Sequence, residues 1–213
     1  MKKFLPLILL GVGLLVLVGA FIFVKNSKNK SPQVEEETAK EIPVGERPVV
    51  SLVPSADGHY LKLTISKIMV KKAASLDYEL LYTLPDGRTQ GVPGTVKLTG
   101  GDIIKDLLLG SESSGKFRYD EGVDGGTVTI RFRDDKGKLL GKLSTKFAMQ
   151  SGVTTLTVAD SGFTYELDKV AKGVYFVTIQ TFADPDPSTV VVYQNGYAVF
   201  ASDGKPHTGK VVN

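Results

Sequence analysis

The sequence predicts an all-β protein carried on one N-terminal transmembrane helix. Three observations lead there. Residues 4–24 contain no charge. Beyond residue 46, apolar and polar residues alternate with period two in short segments. Turn signals built on Gly, Asn and Asp interrupt those segments roughly every 8–15 residues.

The uncharged run is 21 residues long. At about 1.5 Å per residue it makes roughly 31 Å of helix, the thickness of a bilayer core. Pro6 falls in the first turn, where its missing N–H costs little. Val18-Gly19-Ala20 has the small residues of a signal-peptide cleavage site, but Phe21 to Val24 carry the apolar run past it. A retained anchor through residues 4–24 is therefore expected, with the lipid bilayer as its partner. Lysines flank it on both sides: Lys2 and Lys3 before, then Lys25, Lys28, Lys30 and Lys40 after. Counted alone, they place the C-terminal part in the cytoplasm. The Met-Lys-Lys start running straight into an apolar segment has instead the shape of an export signal. The expectation adopted is a single-pass protein of the cytoplasmic membrane with its C-terminal domain outside. Gly11, Gly13 and Gly19 do not make the G-x-x-x-G spacing of a packed helix pair. The span also lacks the ionisable residues of a transport path.

Residues 25–46 read as a charged flexible linker. Lys25, Lys28 and Lys30 suit anionic headgroups, and Glu35, Glu36 and Glu37 are repelled by them, so the chain should stand off the surface.

The strand signals begin after the linker. Leu61, Leu63 and Ile65 share one face of their segment, as do Val128, Ile130 and Phe132. Arg131 and Arg133 then face solvent, the half-buried antiparallel pattern. Further strands are expected at 49–53, 78–83, 95–98, 138–147, 154–158, 163–167, 174–182, 189–193 and 197–201. Pro85-Asp86-Gly87 suits a type I turn with glycine in the left-handed region. Asp134 to Gly137 should close a hairpin, and Asn195-Gly196 suits a two-residue type I′ turn. A short helix is expected at 102–109, capped by Asp102. Residues 47–150 hold about seven strands, enough for an Ig-like antiparallel β-sandwich. Residues 151–213 make a piece that is marginal alone and read as an additional β-hairpin subdomain packed on the sandwich. With no Cys and no Trp, "Ig-like" describes architecture and not ancestry.

The same absences restrict chemistry. Without cysteine there is no disulfide, thiolate nucleophile, Cys-bound zinc or iron–sulfur cluster. Only His59 and His207 are available for a Ser–His–Asp arrangement. His59 sits beside the Asp57-Gly58 turn and His207 near the C-terminus, where solvation is the simpler expectation. Gly110 to Lys116 matches the first seven positions of G-x-x-x-x-G-K-[ST], but Phe117 stands where Ser or Thr would bind Mg²⁺. A flexible surface loop entering a strand is expected there. The carboxylates of 120–124 and 184–186 lack the spacing of a calcium loop. Glu79, Glu112, Asp120, Glu121 and Glu166 are the candidates for a paired-carboxylate hydrolase, with no spacing that joins two of them. No catalytic residue, metal or cofactor is expected. Residues 47–213 carry 20 Lys+Arg against 18 Asp+Glu, so no nucleic-acid partner is expected either. The candidate interaction surface is the Asn195 hairpin, with Tyr193, Tyr197 and Phe200 around its tip.

The plan of a Met-Lys-Lys start, one span, a charged linker and a β-rich module resembles uncharacterised single-pass bacterial envelope proteins with a membrane-anchored β-rich domain. The likeness is one of layout, and no activity or site residue comes with it. The expected role is a non-catalytic, membrane-anchored extracytoplasmic module that contacts a protein or envelope polymer. An envelope hydrolase using paired carboxylates and a cytoplasm-facing scaffold are the alternatives.

Overall fold

A computed structural model describes residues 40–212. The predicted anchor and the first part of the linker lie outside them. Among the described residues no helix is long and apolar enough to cross a membrane. The chain folds as β1 (Val49–Pro54), β2 (Tyr60–Ser66), β3 (Ser75–Thr83), β4 (Thr89–Lys97) and β5 (Ile103–Leu108). Next come β6 (Gly110–Ser113), β7 (Lys116–Tyr119), β8 (Gly125–Arg133), β9 (Leu139–Ser151) and β10 (Thr155–Thr157). It ends with β11 (Thr164–Leu167), β12 (Tyr175–Gln180), β13 (Val192–Gln194), β14 (Tyr197–Ala201) and β15 (Gly209–Val212). Every strand ladder is antiparallel. The protein is all-β, as the alternation predicts.

Seven strands form the main sheet in the order β13-β14-β12-β9-β8-β3-β4. Two three-stranded sheets, β1-β2-β5 and β10-β11-β15, and the hairpin β6-β7 complete the fold. The period of two decides which side chains meet. Leu76 and Leu80 of β3, Val128, Ile130 and Phe132 of β8, and Val177 and Ile179 of β12 point to one face of the main sheet. They pack against Val50, Leu52, Leu61, Leu63, Ile65 and Leu107 of β1-β2-β5 in one apolar core. Burying each such side chain stabilises the fold by about 1.5–3 kcal/mol before conformational entropy is counted. The intervening residues of β3 and β8 face water and pair across strands. Asp77 binds Arg133 at 2.6 Å and Glu79 binds Arg131 at 3.2 Å.

At β12 and β14 both faces are covered. Phe176, Val199 and Ala201 point away from the first core and join Leu156, Phe163, Tyr165 and Leu167 in a second. The small sheet β10-β11-β15 supplies that second cover. This corrects the predicted boundary between 150 and 151. Strand β9 runs through it, and β12 pairs with β9 from Tyr175 opposite Ser151 to Ile179 opposite Phe147. Residues 175–201 are thus part of the main sheet, and the accessory piece shrinks to β10, β11 and β15. A strand buried on both faces reads as a continuous apolar run, which does not say which sheet it joins.

Two further expectations change. The segment read as a helix at 102–109 is strand β5, paired with β2 from Ile65 opposite Ile103 to Tyr60 opposite Leu108. Its β-branched pair Ile103-Ile104 and its place beside a completed strand outweigh a cap with two turns to support. The linker also ends earlier than 46. Ile42 is 3% exposed and belongs to the main core, Lys40 bridges to Gly141, and Val44–Glu46 form a 3-10 turn. Gly141 makes room for Ile42, since a Cβ there would lie 2.5 Å from its Cγ1. The edge strand β4 is blunted by Pro93, which has no N–H to offer another chain. Gly94 lies under the ring of Tyr78 across the strand pair.

The buried position of Ile42 sets an expected outcome. Ile42→Ala should destabilise the detergent-solubilised full chain by about 2–4 kcal/mol, whereas Val44→Ala, at a side chain 73% exposed, should leave the urea midpoint unchanged. Equal midpoints for both variants would count against a core that begins before residue 47.

Candidate functional site

The hairpin β6-β7 belongs to neither of the sheets that share the main core, and its root explains its position. Leu109, fully buried, follows β5 and pins the hairpin to the core. Its N–H donates to the His59 carbonyl at 2.8 Å, and its carbonyl accepts from the Asp120 N–H at 2.9 Å. Gly110 then takes a φ of +150°, and a Cβ there would meet the Arg118 carbonyl oxygen. Only glycine fits that close approach. From the main sheet, the Tyr82 hydroxyl donates to Asp120 at 2.9 Å and clamps the returning strand at the hairpin's root. The tip is a two-residue turn, Ser114-Gly115, with φ of +52° and +75°, the type I′ signature. Glu112 accepts from the Gly115 N–H at 3.1 Å. The near P-loop sequence is therefore a hairpin, and its residues do not open the helix a phosphate site requires.

Alternation along β7 puts Phe117 and Tyr119 on one face. Their rings are near-parallel with centroids 6.2 Å apart. His59 continues the row: its ring lies 3.9 Å from Tyr119 at an interplanar angle of 6°. Tyr60 meets Tyr119 edge-on at 6.3 Å and 69°. Phe117 is 52% exposed and Tyr119 38% exposed, both large for ordered aromatics. The loop that carries His59 is held by its own hydrogen bonds. Asp57 accepts from the Ser55 hydroxyl at 2.5 Å and from the His59 N–H at 3.1 Å. Its other oxygen lies 3.1 Å from His59 Nδ1. The Ser55 hydroxyl, then the His59 N–H, hold the Asp57 carboxyl below the usual carboxylate range. Loss of water around Tyr60, with Tyr119 beside it and the Asp57 and Glu112 carboxylates adding to it, pushes its phenol above its ordinary value.

Beside this row lies an open groove of about 470 Å³ on the outer face of β1-β2-β5. Val53, Lys62 and Asp106 form one row across its three strands, and Tyr60, Ser55 and Ser202 border it. Tyr60 is shared by the groove and the aromatic row.

The predicted surface at the other hairpin fares differently. Asn195 and Gly196 have φ of +53° and +81°, the expected type I′ turn between β13 and β14. Yet Phe200 is fully buried in the main core and presents nothing to a partner. Tyr197 stacks on Phe163 at 5.1 Å beside the second core. Tyr193 donates to Asp184, and that bond, ahead of burial, raises its phenol pKa. Period-two geometry explains the scatter: Phe200 follows Ala198 into one core while Tyr197 packs against the other. Tyr193 and Asn195 alone of the four remain exposed.

Most of the candidate carboxylates have structural partners. Glu79 serves Arg131, Asp120 serves Tyr82, Glu112 serves its turn, and Glu166 binds Lys210 at 3.3 Å. Neither histidine is simply solvated. His59 is stacked as above, and His207 pairs with Asp203 at 3.0 Å and packs edge-on against Phe176. Among the described residues no group of three or more His, Asp or Glu is placed to hold a metal ion. Comparison with family models, curated proteins and solved structures gave no match.

The sequence carries a local signal for the aromatic hairpin beside its near P-loop spacing. Ser114-Gly115 is a two-residue turn pair, and Phe117-Arg118-Tyr119 alternates after it. That His59 and Tyr60 would meet this row depends on β5 pairing with β2, which no local pattern states.

The clamp at the hairpin's root gives a pH prediction. Burial, then the bond to Asp120, pushes the Tyr82 phenol far above its ordinary value. A folded pKa above the unfolded value of about 10 means stability that is whole below that pH and declines as pH rises past it. Tyr82→Phe should therefore flatten the loss of urea stability between about pH 10 and 11, where one such group contributes at most about 1.4 kcal/mol per pH unit. An unchanged slope would show that Tyr82 is not held protonated by the fold.

Proposed function

We propose that the chain is a membrane-anchored extracytoplasmic β-sandwich, Ig-like in architecture, that binds a protein or envelope polymer and catalyses nothing. The observation that carries this reading is the aromatic row of the β6-β7 hairpin. Two large rings stand half-exposed on a hairpin rooted by Leu109, Gly110 and Tyr82. Aromatic anchors on a rigid base lose little conformational entropy on contact, which is why they dominate binding energy at interfaces. The uncharged run 4–24 and the lysine-to-glutamate linker support a tether that holds this surface clear of lipid. The hydrolase alternative receives no comparable support, because four of its five carboxylates are engaged in the fold.

Placement and surface are tested separately. Ser113→Cys sits at the exposed hairpin tip of a chain without other cysteines. A membrane-impermeant maleimide should label it on intact cells. Labelling only after lysis would assign the domain to the cytoplasm and favour the scaffold alternative.

For the surface, hydroxyl-radical footprinting should show Phe117 and Tyr119 oxidised more slowly in the native envelope than in the purified full chain. Met69, 57% exposed elsewhere on the surface, should react equally in both. Equal rates at the two aromatics would remove the hairpin as a binding surface.

A further inference from the structure

We propose that the groove on the outer face of β1-β2-β5, together with Tyr60 and Tyr119, binds a neutral polysaccharide. This rests on the binding-module reading and names the chemistry of its ligand.

A sugar ring offers apolar C–H faces and a rim of hydroxyls that both donate and accept. A site for it needs aromatic surface and hydrogen-bonding side chains of both kinds in one open channel. The groove supplies both. Tyr60 forms one wall, and Tyr119 stands edge-on to it at 6.3 Å. Lys62 and Asp106 are exposed and directly opposite each other on β2 and β5. Across an antiparallel pair such charges are within reach of one another. Even so, no ion pair joins them among the described residues. Elsewhere on the same protein, cross-strand charges do pair: Asp77 with Arg133, Glu79 with Arg131, Glu166 with Lys210. Lys62 and Asp106 therefore leave one strong donor and one strong acceptor facing the groove, and charge-assisted bonds are the stronger kind.

The same pair sets the ligand's charge. One cation and one anion in the row cancel, so neither a polyanion nor a polycation gains from the groove as a whole. The backbone argues against an extended peptide. Strand β2, at the groove's floor, is paired on both sides, by β1 and by β5, so its N–H and C=O groups are used and strand addition is open only at the outer edges of β1 and β5. Recognition here is by side chains.

The test uses the full chain in detergent micelles and calorimetric titration with five hexasaccharides. They are β-1,4-glucan, β-1,3-glucan, α-1,4-glucan, β-1,4-mannan and β-1,4-linked N-acetylglucosamine. At least one should bind with a Kd on the order of 1 mM or tighter. Tyr60→Ala should weaken it roughly tenfold, equivalent to about 1.4 kcal/mol. Lys62→Ala with Asp106→Ala, two exposed positions that leave the core intact, should also weaken it, and Tyr193→Ala should not. Binding to none of the five, binding indifferent to the Lys62/Asp106 double variant, or preference for heparin or polylysine would each overturn the proposal. Footprint protection of Phe117 and Tyr119 in the envelope without hexasaccharide binding would leave the binding-module reading standing and assign the surface to a protein.

Discussion

The fold depends on strands β12 and β14 being covered on both faces. Val177, Ile179, Ala198 and Phe200 fill one core, and Phe176, Val199 and Ala201 fill the other. These two strands join β1-β2-β5 on one side to β10-β11-β15 on the other. Each small sheet has three strands and one buried face, near the lower limit of independent stability. A substitution at Phe176 or Phe200 acts on one core directly and on the other through the shared backbone, since interiors are close-packed and transmit small displacements.

That arrangement leaves two kinds of surface. The outer face of β3, β8 and β9 is polar and internally matched, with Asp77, Glu79, Arg131 and Arg133 paired and Thr129 bonded to Ser144 at 3.0 Å. Such a face is stable in water and has little unspent capacity for a ligand, although each exposed pair contributes only a few tenths of a kcal/mol to about 1 kcal/mol. The outer face of β1-β2-β5 is different. Among the described residues no ion pair engages its Lys62 or Asp106, its neighbours are aromatic, and the anchored hairpin stands beside it. The contrast between a satisfied face and an unsatisfied one on the same molecule is the physical basis of the binding surface proposed at the second.

That surface is anchored from the core. Leu109 is a buried peg, Gly110 permits the close backbone crossing, and Tyr82 reaches out of the main sheet to hold Asp120. The stack of His59 on Tyr119 then couples the β1-β2 loop to β7. Four aromatic side chains from two separate stretches of sequence are held in place by hydrogen bonds and packing that are themselves anchored below the surface.

What the sequence determined by itself is what depends on neighbours along the chain. Alternation placed Leu61, Leu63, Ile65, Val128, Ile130 and Phe132 in the core, and the Asn195-Gly196 and Asp134–Gly137 signals became the turns they predict. Tertiary structure alone decided everything that needs a partner from far along the chain. It turned 102–109 into strand β5 beside β2, drew Ile42 out of the linker, put β12 and β14 in the main sheet and brought His59 and Tyr60 to Tyr119. Apolar residues record that they will be buried and on which side of their own strand. The identity of the surface that buries them is a property of the assembled sheets, and it is written at no single position.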